Sequence, residues 1–260
     1  MGKHAVKIGD VVSWLDLTLE PHRFADYCPN GLQVQGKPNV HRIVTGVTAS
    51  LALVEAAIER HADAILVHHG WFWKGEDPTI RGARKRRVQA ILASDVSLLA
   101  YHLPLDAHPV LGNNAQLALK LGLVPERDAS GQPVSAGVNG LIWFGRPQVP
   151  MTTAHFAAKL TEILGRAPVV VGDLTRSVGR VAWCTGAAQG MFETAIDAGA
   201  DVYITGEISE PNAHLARECG VTFISAGHHA TERYGIQALG QALSKALDIE
   251  VQFVDIDNPA

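Results

Sequence analysis

The stretch RIVTGVTASLALVEAAIERHADAILVHH, Arg42 to His69, decides how this chain folds. It opens on an apolar run, Ile43–Val47, and passes a small-residue turn. Apolar residues such as Leu53, Ala57 and Ile58 then recur at three- and four-residue spacing before a second apolar run, Ala64–Val67. Short, wholly apolar runs are typical of strands covered on both faces, and the spacing between them is helical. The segment therefore predicts a βαβ unit. Shifted by 138 positions, it pairs without a gap with RVAWCTGAAQGMFETAIDAGADVYITGE, Arg180 to Glu207. Arg42/Arg180, Ala49/Ala187, Glu55/Glu193, Ala57/Ala195, Ile58/Ile196, Ala62/Ala200 and Asp63/Asp201 are identical. The first copy predicts a helix over Leu51–Arg60; the second predicts strand Val181–Cys184, helix Met191–Ala198 and strand Val202–Ile204.

A second similarity, at an offset of about 125, relates helix Val88–Ser94 and strand Val96–Tyr101 to helix His214–Glu218 and strand Val221–Ser225. The expected fold is α/β, with two similar α/β domains related by internal duplication. Val124–Gly140, rich in Pro, Gly, Ser and Asp, reads as a linker or surface loop. The boundary is placed accordingly: residues 1–125 form an N-terminal domain and residues 126–260 a C-terminal one. Leu141–Phe144 predicts a strand and Thr152–Leu164 a helix capped by Thr152 or Thr153. A closing helix, Glu232–Leu247, and strand, Val251–Val254, are free to pack back on the first domain.

The 260 residues are 47% apolar and 18% charged, a globular balance without a low-complexity tract. A net charge of −4 argues against a generic nucleic-acid binder. Cys28, Cys184 and Cys219 have no CxxC spacing, so neither a thiolate zinc site nor a disulfide framework is indicated. The start, Met-Gly-Lys-His-Ala-Val-Lys, leads into an amphipathic segment with no secretory core, and no apolar run approaches the ~18 residues of a membrane span. A cytoplasmic protein is expected.

Chemistry concentrates where the predicted strands end. His68 and His69 close one strand; His102 and Asp106 follow the next; His228 and His229 follow its counterpart, with Glu232 four residues beyond His228. Imidazole nitrogens and carboxylate oxygens just past strand ends suit a divalent metal, and ligands of α/β sheets gather at the carboxyl ends of strands. If the two halves face each other, four loops meet at one cleft between the domains. Neighbouring His68 and His69 should diverge, so two ions a few ångströms apart each take one. His228 and Glu232, at i and i+4 of a helix start, converge, and a carboxylate such as Glu232 can bridge two cations. Asp106 lies in a loop stiffened by Pro104 and Pro109.

Other residues carry two readings. His102 and His229 fit a supporting or structural role beside the ligands. Glu207, the counterpart of His69, is either a cleft residue or a helix-start carboxylate. His108 is a proton donor near the metals or an exposed loop histidine. Trp71 and Trp73 pack in a core or offer an aromatic wall to a base. Arg81, Arg84, Lys85, Arg86 and Arg87 form a solvated helix face or grip phosphate. No Walker A loop, GxSxG elbow or dinucleotide fingerprint is present, and no catalytic residue is assigned.

The segments His68-His69-Gly70-Trp71-Phe72-Trp73, His102 through Asn114, Thr205-Gly206-Glu207-Ile208-Ser209-Glu210 and Gly227-His228-His229-Ala230-Thr231-Glu232-Arg233 resemble the Nif-three-like family, also described as type-two homologues of GTP cyclohydrolase. Asn30-Gly31-Leu32-Gln33-Val34 looks like its N-terminal signature. The likeness covers about Asp10 to Pro259 and is closest to short bacterial members without an inserted middle domain. It implies a dinuclear centre of divalent iron, zinc or manganese in each subunit of a toroidal homohexamer. His69 and Asp106 would serve one ion and His68 and His228 the other, with Glu232 bridging. It also implies a nucleotide substrate, with metal hydroxide attacking the purine imidazole ring of GTP. Two alternatives stand beside that reading: a metal-dependent phosphohydrolase, and a non-catalytic metal-binding regulatory or scaffold ring.

Overall fold

The computed structural model describes residues 4–260. Met1, Gly2 and Lys3 of the amphipathic start lie outside the described residues. The chain runs through β1 (Val6–Lys7), α1 (Ile8–Leu19), β2 (Gly31–Val34), β3 (Asn39–Val40), β4 (Arg42–Thr48), α2 (Leu51–Glu59) and β5 (Ala64–His69). It continues with α3 (Gly82–Ala93), β6 (Ser97–Ala100), α4 (Leu103–Ala107), α5 (Asn113–Leu121), β7 (Leu123–Pro125), β8 (Ser135–Ala136) and β9 (Ile142–Pro147). There follow α6 (Thr153–Leu164), β10 (Val169–Val171), β11 (Val181–Trp183), α7 (Phe192–Asp197), β12 (Val202–Thr205) and α8 (Glu210–Cys219). β13 (Thr222–Ser225), α9 (His228–Leu247) and β14 (Glu250–Phe253) complete the chain.

Two compact units share these elements. The first holds the chain up to Leu105 together with Ile236–Asp257; the second holds Asp106–Gly235 and the last three residues. In the first, a five-stranded sheet has the order β14-β4-β5-β6-β2. β14, β4, β5 and β6 pair in parallel and β2 is an antiparallel edge. α2 begins at Ser50, whose side chain accepts a hydrogen bond from Leu53 N–H, and its Leu53, Val54 and Ala57 join Val44, Ile65, Val67 and Leu98 in one apolar cluster. Burying each such leucine or valine contributes about 1.5–3 kcal/mol. The second unit carries a sheet of order β10-β13-β12-β11-β9-β7, parallel only at its β11-β12-β13 centre. Trp183, Ile204, Ile224, Phe156 and Leu160 are among its core residues.

The duplication is visible in the strand register. Ile43 pairs with Ala64 in the first unit and Val181 with Val202 in the second, the same pair 138 positions on. Ala64 pairs with Ser97, and Val202 with Thr222, the partner now 125 positions on. The repeated identities have repeated jobs. Asp63 accepts from Arg42 N–H and Asp201 from Arg180 N–H, and each arginine reaches back to a carbonyl at its helix end, Arg60 or Ala198. These bonds fix where each βαβ turn closes.

Several elements depart from the sequence reading. Val124–Gly140 is stitched into the second sheet rather than left as a linker: Leu123 pairs with Pro147, Ser135 with Trp143, and Arg127 with Pro133. Its Pro and Gly mark turns at a sheet edge. The units accordingly divide at Leu105/Asp106, ahead of the position near 125 that composition suggested. Asp106 sits in the short helix α4 rather than in a loop. α9 begins at His228, four residues before the predicted start, and Gly227 (φ +100) makes the turn into it. β14 pairs with β4, which returns the closing strand to the first unit. Among the described residues no helix is long and apolar enough to cross a membrane.

Candidate metal centre

In the first unit, β5 ends on His68 and His69. His68 is fully buried, and its Nδ1 lies 3.1 Å from the carbonyl of Tyr101, just past the neighbouring strand β6. A carbonyl only accepts, so Nδ1 donates and the lone pair is on Nε2. His69 is the cross-strand partner of Thr48, whose hydroxyl meets its Nδ1 at 3.1 Å. The two rings do not diverge; their centroids lie 4.4 Å apart. His69 is the last strand residue, and the chain turns at Gly70, so strict alternation no longer holds there.

His102 joins this pair. A ring nitrogen from each of His68, His69 and His102 lies within 4.8 Å of the others. Asp26 Oδ1 takes the Nδ1 of His102 at 2.7 Å, while Asp26 Oδ2 accepts from Asn30 Nδ2 and Leu103 N–H. Burial alone would raise the Asp26 carboxyl. The hydrogen bond and charge of His102, with those from Asn30 and Tyr27 N–H, instead hold it at about 2. A permanent carboxylate on Nδ1 directs the lone pair of His102 to Nε2, as is usual for metal-binding histidines. Burial and the Asp26 charge push nearby Cys28 up to about 12, which keeps it a thiol in the absence of a cation.

The second unit supplies carboxylates. Asp106 and Glu232 are 6% and 3% exposed. Asn113 Nδ2 donates to Asp106 Oδ1 at 2.8 Å, and Thr185 Oγ1 reaches the same oxygen at 3.3 Å. His228 and Glu232 converge across the first turn of α9, Nε2 to Oε2 at 3.1 Å, while the other nitrogen of His228 meets Glu207 Oε1 at 2.7 Å. Burial works against charge on His228, but Glu232 and Glu207 outweigh it and push its pKa up to about 9. Gly186 (φ +70) faces this pair, and a Cβ there would collide with the Glu232 carboxylate. The donor set fits a divalent cation. Its oxygen and nitrogen donors are mixed, its carboxylates are buried, and their field already draws positive charge onto the nearest imidazole.

The remaining candidates are placed as follows. Glu207 is an orienting partner of His228 rather than a helix-start carboxylate. His229 is buried at the start of α9. His108 is half-buried, and its Nδ1 accepts from Val110 and Leu111 N–H, so that nitrogen carries no proton to donate. Trp71 belongs to the apolar core, with its indole N–H on Ala49 O, whereas half-buried Trp73 stands 6.0 Å from His69. The cationic run is split by helical period: Arg81, Arg84 and Arg87 line one cavity, while Lys85 and Arg86 are exposed.

Sequence reasoning missed Asp26, Thr48 and Thr185; Gly112 is the N-cap of α5, and Asn113, the residue after it, serves Asp106. Asn30 was singled out only as part of a signature. Its Oδ1 accepts from His102 N–H, and Gln33 of the same signature holds the Trp71 backbone from both sides.

The profile of the Duf34/NIF3 (NGG1p interacting factor 3) family matches residues 6–259. A Pseudomonas aeruginosa protein described as a GTP cyclohydrolase 1 type 2 homolog is 51% identical over 256 residues, 98% of this chain and 100% of its own. One from Neisseria meningitidis serogroup B, described in the same words, is 50% identical over 96% of this chain and 98% of its own. Among solved structures, protein ybgI, described as of unknown function, superposes with a TM-score of 0.91 at 45% identity, covering 98% of this chain and 100% of its own. The protein TTHA1606 from Thermus thermophilus superposes at 0.85 with 32% identity over the same shares.

Proposed function

This chain belongs to the Duf34/NIF3 family, and from that premise we propose that it is a hydrolase of a nucleotide, dependent on two divalent metal ions and similar in reaction to GTP cyclohydrolase. The observation that carries the reading is the pair of buried carboxylates Asp106 and Glu232 in the second unit, with half-buried His228 pulled to about 9 by Glu232 and Glu207. In this proposal His69 and Asp106 hold one ion, His68 and His228 the other, and Glu232 bridges. Iron, zinc and manganese all accept such a donor set.

Divalent ions there would supply the Lewis acidity that makes water a nucleophile near neutral pH. The chain's own residues set the geometry. Glu207 and Asp26 fix the orientation of His228 and His102, Tyr101 O and Thr48 that of His68 and His69, and Asn113 with Thr185 that of Asp106. In the reaction proposed, one water adds at C8 of the purine and opens the imidazole ring to a formamide, and a second water cleaves the remaining C8–N bond to release formate and leave an amine. A homohexameric ring belongs to the same proposal, and light scattering should return six times the chain mass.

The test is incubation of metal-loaded protein with a panel of nucleotides, read by mass spectrometry. Formate with a ring-opened or pteridine product supports the reading. Released phosphate with an intact purine supports phosphoester cleavage instead, and an unchanged panel overturns both.

A further inference from the structure

A cavity of about 370 Å³ opens in the first unit, with His69 in its wall beside Thr48, Trp73, Arg81, Arg84 and Arg87. The three arginines are spaced by three along the start of α3, which puts them on one side of the helix. Two carboxylates, Glu76 and Asp77, also line the cavity, so the guanidinium groups outnumber the acids by one. Arg81 Nη2 engages Asp77 Oδ2 at 2.8 Å, and Arg84 donates to the Asp77 carbonyl while lying 5.3 Å over the Phe72 ring. Hydrogen bonds from Thr79 and Arg81 lower the Asp77 carboxyl, which keeps it ionised as a competitor for the arginines. Arg87 is different: its Nε is buried without a hydrogen-bond partner. Guanidinium forks match phosphate oxygens in pairs, which is why arginine is favoured where phosphate must be oriented.

Trp73 adds the second half of a ligand's outline. Its indole N–H donates to Gly70 O at 3.1 Å, and its ring stands 4.9 Å from His102 and 6.0 Å from His69. A half-buried, fixed aromatic face beside a cationic wall suits a molecule with a flat base at one end and negative charge at the other.

We propose that this cavity is the substrate subsite for a nucleoside triphosphate, with the phosphates held by Arg81, Arg84 and Arg87 and the base laid against Trp73. The assignment rests on the nucleotide reading above and deepens it, since His69 is common to the cavity wall and the proposed ligand set. It also divides the work within the cationic run: Lys85 and Arg86 do not line the cavity and take no part.

Calorimetric titration of the metal-loaded protein with GTP, guanosine and inorganic tripolyphosphate tests it. Arg84→Gln combined with Arg87→Gln should weaken GTP and tripolyphosphate at least tenfold while leaving guanosine and the metal content unchanged. Trp73→Ala should weaken GTP and guanosine but not tripolyphosphate. Arg81→Gln, at an exposed side chain already shared with Asp77, should have a smaller effect. Asp77→Asn should tighten tripolyphosphate severalfold by removing the competing charge. This last variant decides the matter if the double variant does not fold. Unchanged tripolyphosphate binding in the arginine variants, or weaker binding in Asp77→Asn, overturns the proposal. Absence of turnover with intact, arginine-dependent binding would instead sink the hydrolase reading alone.

Discussion

His102 and His228 stand 126 positions apart, in different units, and are held in the same way: a carboxylate oxygen on Nδ1 at 2.7 Å in each case. The carboxylates have unrelated origins. Asp26 comes from the segment before β2, whereas Glu207 occupies the place that His69 holds in the first copy. Each half thus holds the imidazole that follows its third strand with an acid from a different part of its own frame. The outcome is asymmetric. The first unit gathers three imidazoles braced by a carbonyl, a hydroxyl and one carboxylate; the second gathers Asp106, Glu207 and Glu232 with one imidazole. One half has become nitrogen-rich and the other oxygen-rich.

Removing charge from the oxygen-rich half should have the largest effect. Glu232→Gln keeps the shape and deletes the proposed bridge; turnover of whichever nucleotide proves active should fall by at least about 100-fold, the upper end of what losing even an orienting partner costs. Steady-state rates at fixed metal concentration provide the check.

The halves should also differ in their response to pH once metal is stripped. His228 titrates above its unfolded value, so its contribution is complete below about 6.5 and is lost as pH rises through about 9. Denaturant midpoints of the metal-free protein should therefore report a loss of about 2–3 kcal/mol over that window. Asp26 has the opposite sign. Its contribution is present above the ordinary aspartate value and is lost as pH falls toward about 2. Glu207→Gln should shrink the alkaline limb in part, since Glu232 raises His228 more, and leave the acid limb alone.

The orienting partners give smaller, graded effects. Glu207→Gln replaces a charged partner and should cost about 10–100-fold in metal affinity. Thr48→Ala removes a neutral hydroxyl from His69, worth about 1 kcal/mol or roughly fivefold. Equal losses from the two, measured with a competing chelator, would erase the distinction between the halves.

Much of the frame was legible because local rules and the tertiary structure agreed. Arg42/Arg180 and Asp63/Asp201 stand out as identities, and they close the same turns in both units. His68, His69, Asp106, His228 and Glu232 were legible as candidates because ligand types cluster at strand ends. What supports them was not. Asp26 reaches His102 across 76 positions and Thr185 reaches Asp106 across 79, distances over which no spacing rule operates. The start of α9 was half legible: the i, i+4 spacing of His228 and Glu232 signals a helix start, while the apolar pattern that bounds the helix begins only near Glu232. Val124–Gly140 misled for a related reason: turn-forming residues signal a change of direction, and here the direction reverses within a sheet.

Elemental analysis of the purified, reconstituted chain tests the central claim most directly. Two divalent ions per wild-type chain are expected, with about one remaining in each of His68→Ala and His69→Ala, and close to none in Glu232→Gln. A wild-type chain that retains no stoichiometric metal, or histidine variants that keep the full complement, would contradict it.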